Sequence, residues 1–135
     1  MPLVRIDLIE GRTRRELNAI GEGVHQALVA SIGIPAEDRF QVISEHPPGS
    51  LVFDAGYLGI ERTRGVVFIQ VTISSGRSLD QKRALYAAIA GNLSASAAVR
   101  PEDVLVNVVE VSRENWSFGN GAAQYAPQVP GAVPL

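Results

Sequence analysis

Two stretches of this chain repeat one another at a single offset. Gly11-Arg12-Thr13 returns as Gly76-Arg77-Ser78, Glu37-Asp38 as Glu102-Asp103, and Glu45 as Glu110, each 65 positions on (77 − 12, 103 − 38, 110 − 45). The match runs without a gap over about forty residues, and the same succession of patterns accompanies it. In the first copy, Leu3 to Ile9 sets Arg5 and Asp7 between apolar neighbours, the alternation of a half-buried strand. Glu10-Gly11-Arg12 is a turn. Thr13 stands three residues before Glu16, which is capping-box spacing. Leu17, Ile20, Val24, Leu28 and Ile32 then make one apolar helix face, and Gly33 with Pro35 stops that helix. A second strand is predicted over Phe40 to Ser44. The second copy reads alike: a strand over Val66 to Ile73, a turn at Gly76-Arg77, and a cap at Ser78 and Gln81. A helix face at Leu85, Ile89 and Leu93 follows, then a strand over Val104 to Val111.

Each copy, about residues 2–45 and 67–110, is therefore a β-α-β unit. A β-α-β crossover joins parallel strands with right-handed sense. Two of them make an α+β fold, one four-stranded sheet with both helices on one face. The other face would be bare, so cover from further subunits is expected. Between the copies, His46 to Gly65 carries Pro47, Pro48, Gly49, Gly56 and Gly59, a long connection with a short strand predicted around Leu51 to Phe53. Residues 1–126 are read as one domain, and 127–135, with three prolines, as an extended tail.

Composition narrows the function classes. Of 135 residues, 46% are hydrophobic and 19% charged, which excludes disorder as the general state. Twelve basic against fourteen acidic side chains leave a net charge of −2, with no basic field for nucleic acid or an anionic membrane. The absence of cysteine excludes disulfides, zinc-thiolate sites and thiol nucleophiles. His25 and His46 are the only histidines, and no metal-ligand spacing occurs. Gly119-Asn120-Gly121 reads as a turn, outside the strand-turn-helix context of a phosphate loop. No apolar run approaches the roughly 20 residues of a membrane span, and the amino terminus alternates instead of forming a signal-peptide core. A cytoplasmic location is expected.

Pro2 carries the most chemical information. A small second residue permits removal of the initiator methionine, which would leave an amino-terminal proline with a secondary amine. Such an amine acts as a base when neutral, as a proton donor when charged, or forms an iminium with a carbonyl. At the start of a strand in a partly apolar pocket its pKa would fall, because desolvation disfavours the ammonium.

The opening PLVRIDLIEGRT, the GRS of the second copy and WSFGNG at Trp116 to Gly121 resemble the tautomerase superfamily. Within it the chain is most similar to the malonate semialdehyde decarboxylase group. The pieces that carry the likeness are DLIEGRT (Asp7 to Thr13), PAEDRFQVISEHPP (Pro35 to Pro48), QVT (Gln70 to Thr72), PEDVLVNVVE (Pro101 to Glu110) and NWSFGNGAAQY (Asn115 to Tyr125). The resemblance spans about residues 2–126. It implies a tautomerase-like fold assembled as a homotrimer, Pro2 as catalytic amine, Asp38 as its acidic partner and Arg77 as the binder of a substrate carboxylate.

Each of these residues also has a plainer reading. Asp38 could hold a prolyl ammonium or activate water, or it could be a turn aspartate accepting backbone hydrogen bonds, as its repeat partner Asp103 could be. Arg77 can grip a carboxylate through two parallel hydrogen bonds, or it is a solvated turn residue. Trp116 and Phe118 would form an apolar wall of the substrate site, or else pack in the core or between subunits; Tyr125 is a lesser member of that group. The decarboxylase group shows a second arginine shortly before the position of Arg77, where this chain has Ser74 or Ser75. Arg12 matches the substrate arginine of short tautomerases. His25 is expected on the first helix, away from the site, and His46 shows no partner.

The resemblance implies cofactor-independent decarboxylation of a small 3-oxo acid such as malonate semialdehyde, with no metal and no organic cofactor. Three alternatives stand beside it: keto–enol tautomerisation of the phenylpyruvate type, hydration or dehalogenation of a haloacrylate, and a catalytically silent trimeric scaffold. The expected partners are a small carboxylate substrate and two further copies of the chain, with neither nucleic acid nor membrane.

Overall fold

Thr13 and Ser78 open two helices in the same way. Each hydroxyl accepts from the backbone N–H three residues on, and the Glu16 or Gln81 side chain returns to the backbone N–H of the capping residue. The helices, α1 (Arg14–Ile32) and α2 (Leu79–Ala97), both have 19 residues. They end alike too, with Gly33 and Ala98 in the left-handed conformation, each N–H bonded to Leu28 O or Leu93 O. The residues described are 1–127 of a computed structural model, so the predicted tail lies outside them apart from Pro127.

Around the helices run β1 (Leu3–Ile9), β2 (Gln41–His46), β3 (Val67–Ser74) and β4 (Val104–Val111). The order across the sheet is β2-β1-β3-β4. Strands pair in parallel within each unit, and the units join through the antiparallel pair β1–β3, with Leu3 opposite Thr72 and Leu8 opposite Val67. Val4, Ile6 and Leu8 of β1 and Val67, Ile69, Val71 and Ile73 of β3 face the helices. There they meet Leu17, Ile20, Val24, Leu28 and Ile32 of α1 and Leu85, Ile89 and Leu93 of α2, so every helix-face residue read from the sequence is buried. The helices approach closely at Gly23, where a Cβ would stand 2.8 Å from Leu93 Cδ1. Asn92 Nδ2 donates to Gly23 O across the same contact, at 3.0 Å.

Four details differ from the sequence reading. β2 begins at Gln41 and continues to His46, and β3 is shifted by one residue. Leu51 to Phe53 is no strand; a single bridge joins Pro48 to Leu51. Pro47 and Pro48 have no N–H to give a ladder, and Leu51 is buried instead against Ile9 and Val66. His46 does have a partner: its Nε2 lies 2.7 Å from Asp7 Oδ1 on the neighbouring strand. The sheet face away from the helices bears Leu3, Val42, Leu105 and Val109, all exposed. No helix of the described residues is long and apolar enough to cross a membrane.

Candidate active site

Because β1 and β3 are antiparallel, the residues before β1 meet the residues after β3. Gly11 and Gly76, at φ 132° and 122°, make the strand-to-helix turns that precede Arg12 and Arg77. That backbone region suits glycine alone. The second of these turns brings Arg77 to the end of the sheet where the chain begins.

A cavity of about 310 Å³ opens there, lined by Met1, Asp38, Ser74, Arg77, Arg113 and Tyr125, with Gly33 to Pro35 as its floor. Asp38 is held by the loop after α1. It is 7% exposed, and neither of its oxygens has a hydrogen-bond partner among the described residues. The amino-terminal nitrogen of Met1 stands 3.7 Å from its Oδ2. Burial pushes the Asp38 carboxyl above its ordinary range, and the facing ammonium opposes that push. The amine moves down: its own burial disfavours the charge, Asp38 works against that, and Arg77 and Arg113 add to it. Arg77 gives its Nη1 to Ser74 O at 2.9 Å, which orients the guanidinium along the cavity wall.

A second hollow, of about 260 Å³, is lined by Pro2, Leu3, Phe40, Trp116, Ser117 and Phe118. Trp116 stacks on Phe118 with ring centres 5.3 Å apart, and Tyr125 meets Phe118 edge-on at 5.1 Å. Gln124 holds this loop closed, accepting from Phe118 N and donating to Gly119 O. The two hollows are tied by Trp116 Nε1, which donates to Ser74 Oγ at 3.0 Å.

The structure thus brings Asp38 and Arg77 into one cavity with the amino terminus, and Pro2, Trp116 and Phe118 into the hollow beside it. Arg12 is not there. It sits at the opposite end of the sheet, donating to Gly65 O at 2.8 Å. His25, expected to lie away from the site, lies beneath it. Its Nε2 is 2.7 Å from Ala36 O, in the loop that carries Asp38. Arg113 is the lining residue that the sequence reading missed. Its one signal was its place directly after a strand parallel to β3. Among the described residues no group of three or more acidic, histidine or cysteine side chains could hold a metal.

Two family models, both described as tautomerase enzyme, match residues 38–119 and 2–59. The chain belongs to the tautomerase superfamily. Among similar tautomerases are two from Bacillus subtilis strain 168. The probable tautomerase YusQ is 38% identical over 124 residues, 92% of this chain and 98% of that one. The probable tautomerase YrdN is 35% identical over 125 residues, 93% and 96% of the two chains. Solved tautomerase-fold structures include a malonate semialdehyde decarboxylase characterised for decarboxylase and hydratase activities. It is 38% identical, with a TM-score of 0.86 over 91% of this chain and 95% of that one. The FG41 malonate semialdehyde decarboxylase inhibited by 3-bromopropiolate is 40% identical, with a TM-score of 0.87 over 91% and 93%. A fused 4-OT symmetric trimer, 24% identical with a TM-score of 0.75 over 93% and 99%, shares the fold.

Proposed function

We propose that this tautomerase-superfamily enzyme decarboxylates a small 3-oxo acid such as malonate semialdehyde, using Pro2 as an amino-terminal amine after removal of Met1. The observation that carries this reading is Asp38: a buried carboxylate without a hydrogen-bond partner among the described residues, facing the Met1 amine at the end of the chain that Pro2 would begin once Met1 is removed, in a cavity that also holds the Arg77 guanidinium. A buried carboxylate left unpaired costs stability, and a role in holding a cationic amine explains why the fold keeps it. The likeness to two malonate semialdehyde decarboxylases over nine-tenths of the chain supports the choice of substrate.

In this mechanism Arg77 binds the substrate carboxylate and turns it out of the plane of the carbonyl. The Pro2 ammonium, steadied by Asp38, donates to the carbonyl oxygen, or the amine condenses with the carbonyl to an iminium and releases water. The bond between the carboxylate and the central carbon breaks. Its electron pair moves toward the polarised carbonyl or iminium, carbon dioxide leaves, and the resulting enol or enamine takes a proton at carbon. Hydrolysis of the iminium, where one has formed, restores the amine. The subunit, one domain over residues 1–126, would act as a homotrimer whose exposed sheet faces cover one another.

Keto–enol tautomerisation is the second reading, favoured by the apolar hollow beside Pro2, where Phe40, Trp116 and Phe118 could receive an aryl group. One assay separates the two: carbon dioxide release from malonate semialdehyde beside ketonisation of phenylenolpyruvate, on protein whose mass establishes the loss of Met1. Decarboxylation, reduced more than tenfold in Pro2→Ala, is the expected result. Ketonisation alone would establish the second reading, and full activity in protein that retains Met1 would overturn the proline mechanism.

A further inference from the structure

The cavity contains one more cation than the proposed chemistry has used. Arg113 follows β4, which runs parallel to β3, so Arg77 and Arg113 leave the sheet at the same end. The turn that carries it, Arg113–Asn115, is fastened at both sides. Ser75 donates to Val111 O through its backbone N–H at 2.9 Å and its hydroxyl at 3.0 Å, fixing the last residue of β4. Ser74 Oγ accepts from Trp116 Nε1, fixing the residue beyond the turn. The two serines that precede Arg77 are thus engaged in bracing the mount of Arg113.

Charge defines what this arrangement would hold. Asp38 is the one carboxylate among the lining residues, and it faces the terminal amine. Neither Arg77 nor Arg113 has a carboxylate within ion-pair distance among the described residues. Two guanidiniums lining one small cavity, neither in an ion pair among the described residues, favour a ligand with two oxygen functions, since each fork takes a planar oxyanion.

We propose that Arg113 is a substrate-binding residue that takes the second oxygen function of the ligand while Arg77 takes its carboxylate, so that the site selects small dicarboxylates, and 3-oxo acids whose carbonyl becomes an enolate, over simple monocarboxylates. This rests on the reading that the cavity is the substrate site, but its test needs no turnover. On a 3-oxo acid Arg113 would lie where negative charge develops on the carbonyl oxygen as carbon dioxide departs, a position in which a preorganised cation accelerates the step.

The experiment is calorimetric titration of the whole chain, in its native assembly and with its amino terminus defined by mass, using malonate and propionate as probes. Malonate is expected to bind at least tenfold more tightly than propionate. Arg113→Ala should bring malonate to the propionate level while changing propionate by less than threefold, and Arg113→Lys should recover part of the difference. Equal binding of the two acids to the wild-type protein, no binding of malonate at millimolar concentration, or undiminished malonate binding in a folded Arg113→Ala variant would each overturn the assignment. Selective malonate binding without any decarboxylation would leave it standing and remove the proposed reaction instead.

Discussion

Asp38 and Asp103 occupy equivalent positions in the two repeats, both are buried, and among the described residues only Asp103 is hydrogen-bonded. Asp103 accepts from Thr63 N at 2.7 Å and from Thr63 Oγ1 at 2.6 Å. Asp38 has no hydrogen-bond partner among the described residues and faces an amine 3.7 Å away. The antiparallel join places the start of each unit against the turn of the other. At one end of the sheet the chain begins, and a cavity opens. At the other the chain passes through Thr63 to Val66, satisfies Asp103 and occupies Arg12 through Gly65 O.

The same substitution should therefore act oppositely at the two positions. Asp103→Asn replaces an acceptor oxygen by a donor opposite Thr63 and should cost about 1–3 kcal/mol. Asp38→Asn removes a buried charge with no hydrogen bond and should leave the melting temperature unchanged or raise it by about 4 °C. With its pKa raised by burial, Asp38 favours folding least once ionised, so its contribution to stability falls as pH rises through that folded pKa and vanishes in the Asn variant. Thermal unfolding of both variants across pH checks the contrast; a lower melting temperature for Asp38→Asn at neutral pH would show a stabilising partner for that carboxylate.

The ends of the helices offer a test of the repeat itself. Gly33 terminates α1 at φ 71°, whereas Ala98 does the same for α2 at φ 53°. A Cβ in the left-handed region costs roughly 1–2 kcal/mol, offset in part by the greater chain entropy of glycine. Ala98→Gly should stabilise the protein by about 0.5–1 kcal/mol in urea unfolding at unchanged m-value. A loss of stability would mean that the alanine side chain contributes more than its strain.

In protein that retains Met1, its amine provides a pH readout that needs no substrate. Its pKa is lowered first by burial and also by Arg77 and Arg113, and raised by Asp38. Removing a neighbouring cation restores the charged form, so Arg77→Ala should move the midpoint of amine acylation to higher pH. Asp38→Asn should move it lower. Shifts in one common direction would contradict the geometry of the cavity.

Loss of Arg77 should weaken catalysis through the substrate carboxylate it is proposed to hold. Loss of a hydrogen-bonded contact to a charged ligand corresponds to roughly 1.5–3 kcal/mol, about ten- to a hundredfold. Arg77→Ala should lower kcat/KM for malonate semialdehyde by at least about tenfold on that scale, with the assembly intact by light scattering. Decarboxylation at the wild-type level in this variant would remove Arg77 from the site.

Assembly is expected from the exposed apolar residues on the sheet face away from the helices. Leu3, Val42, Leu105 and Val109 are exposed on that face, spread over three cross-strand rows and interspersed with Arg5, Asp7, Gln70 and Asn107. A trimer that persists at low micromolar concentration is expected in light scattering, and Val42→Asp together with Leu105→Asp should dissociate it. A stable wild-type monomer would refute the trimeric reading.

Local sequence determined the elements of this fold. A strand alternates its side chains and a helix repeats every three or four, so Leu3 to Ile9, the α1 face from Leu17 to Ile32 and the paired caps at Thr13 and Ser78 could be read by inspection. The offset of 65 (77 − 12) makes the two units equivalent in sequence. Tertiary structure alone decided how that equivalence breaks. The resemblance pointed to Pro2, Asp38 and Arg77, but Arg77 reaches the end of the sheet where the chain begins only because β1 and β3 pair antiparallel, which no local pattern encodes. The different fates of Asp38 and Asp103 depend on which end of the sheet the connecting chain fills. Arg113, outside any motif, reaches the cavity because β4 lies parallel to β3 and two serines brace the turn beyond it. Side-chain periodicity is a property of neighbours in sequence; charge balance in a cavity belongs to residues that only the folded sheet brings together.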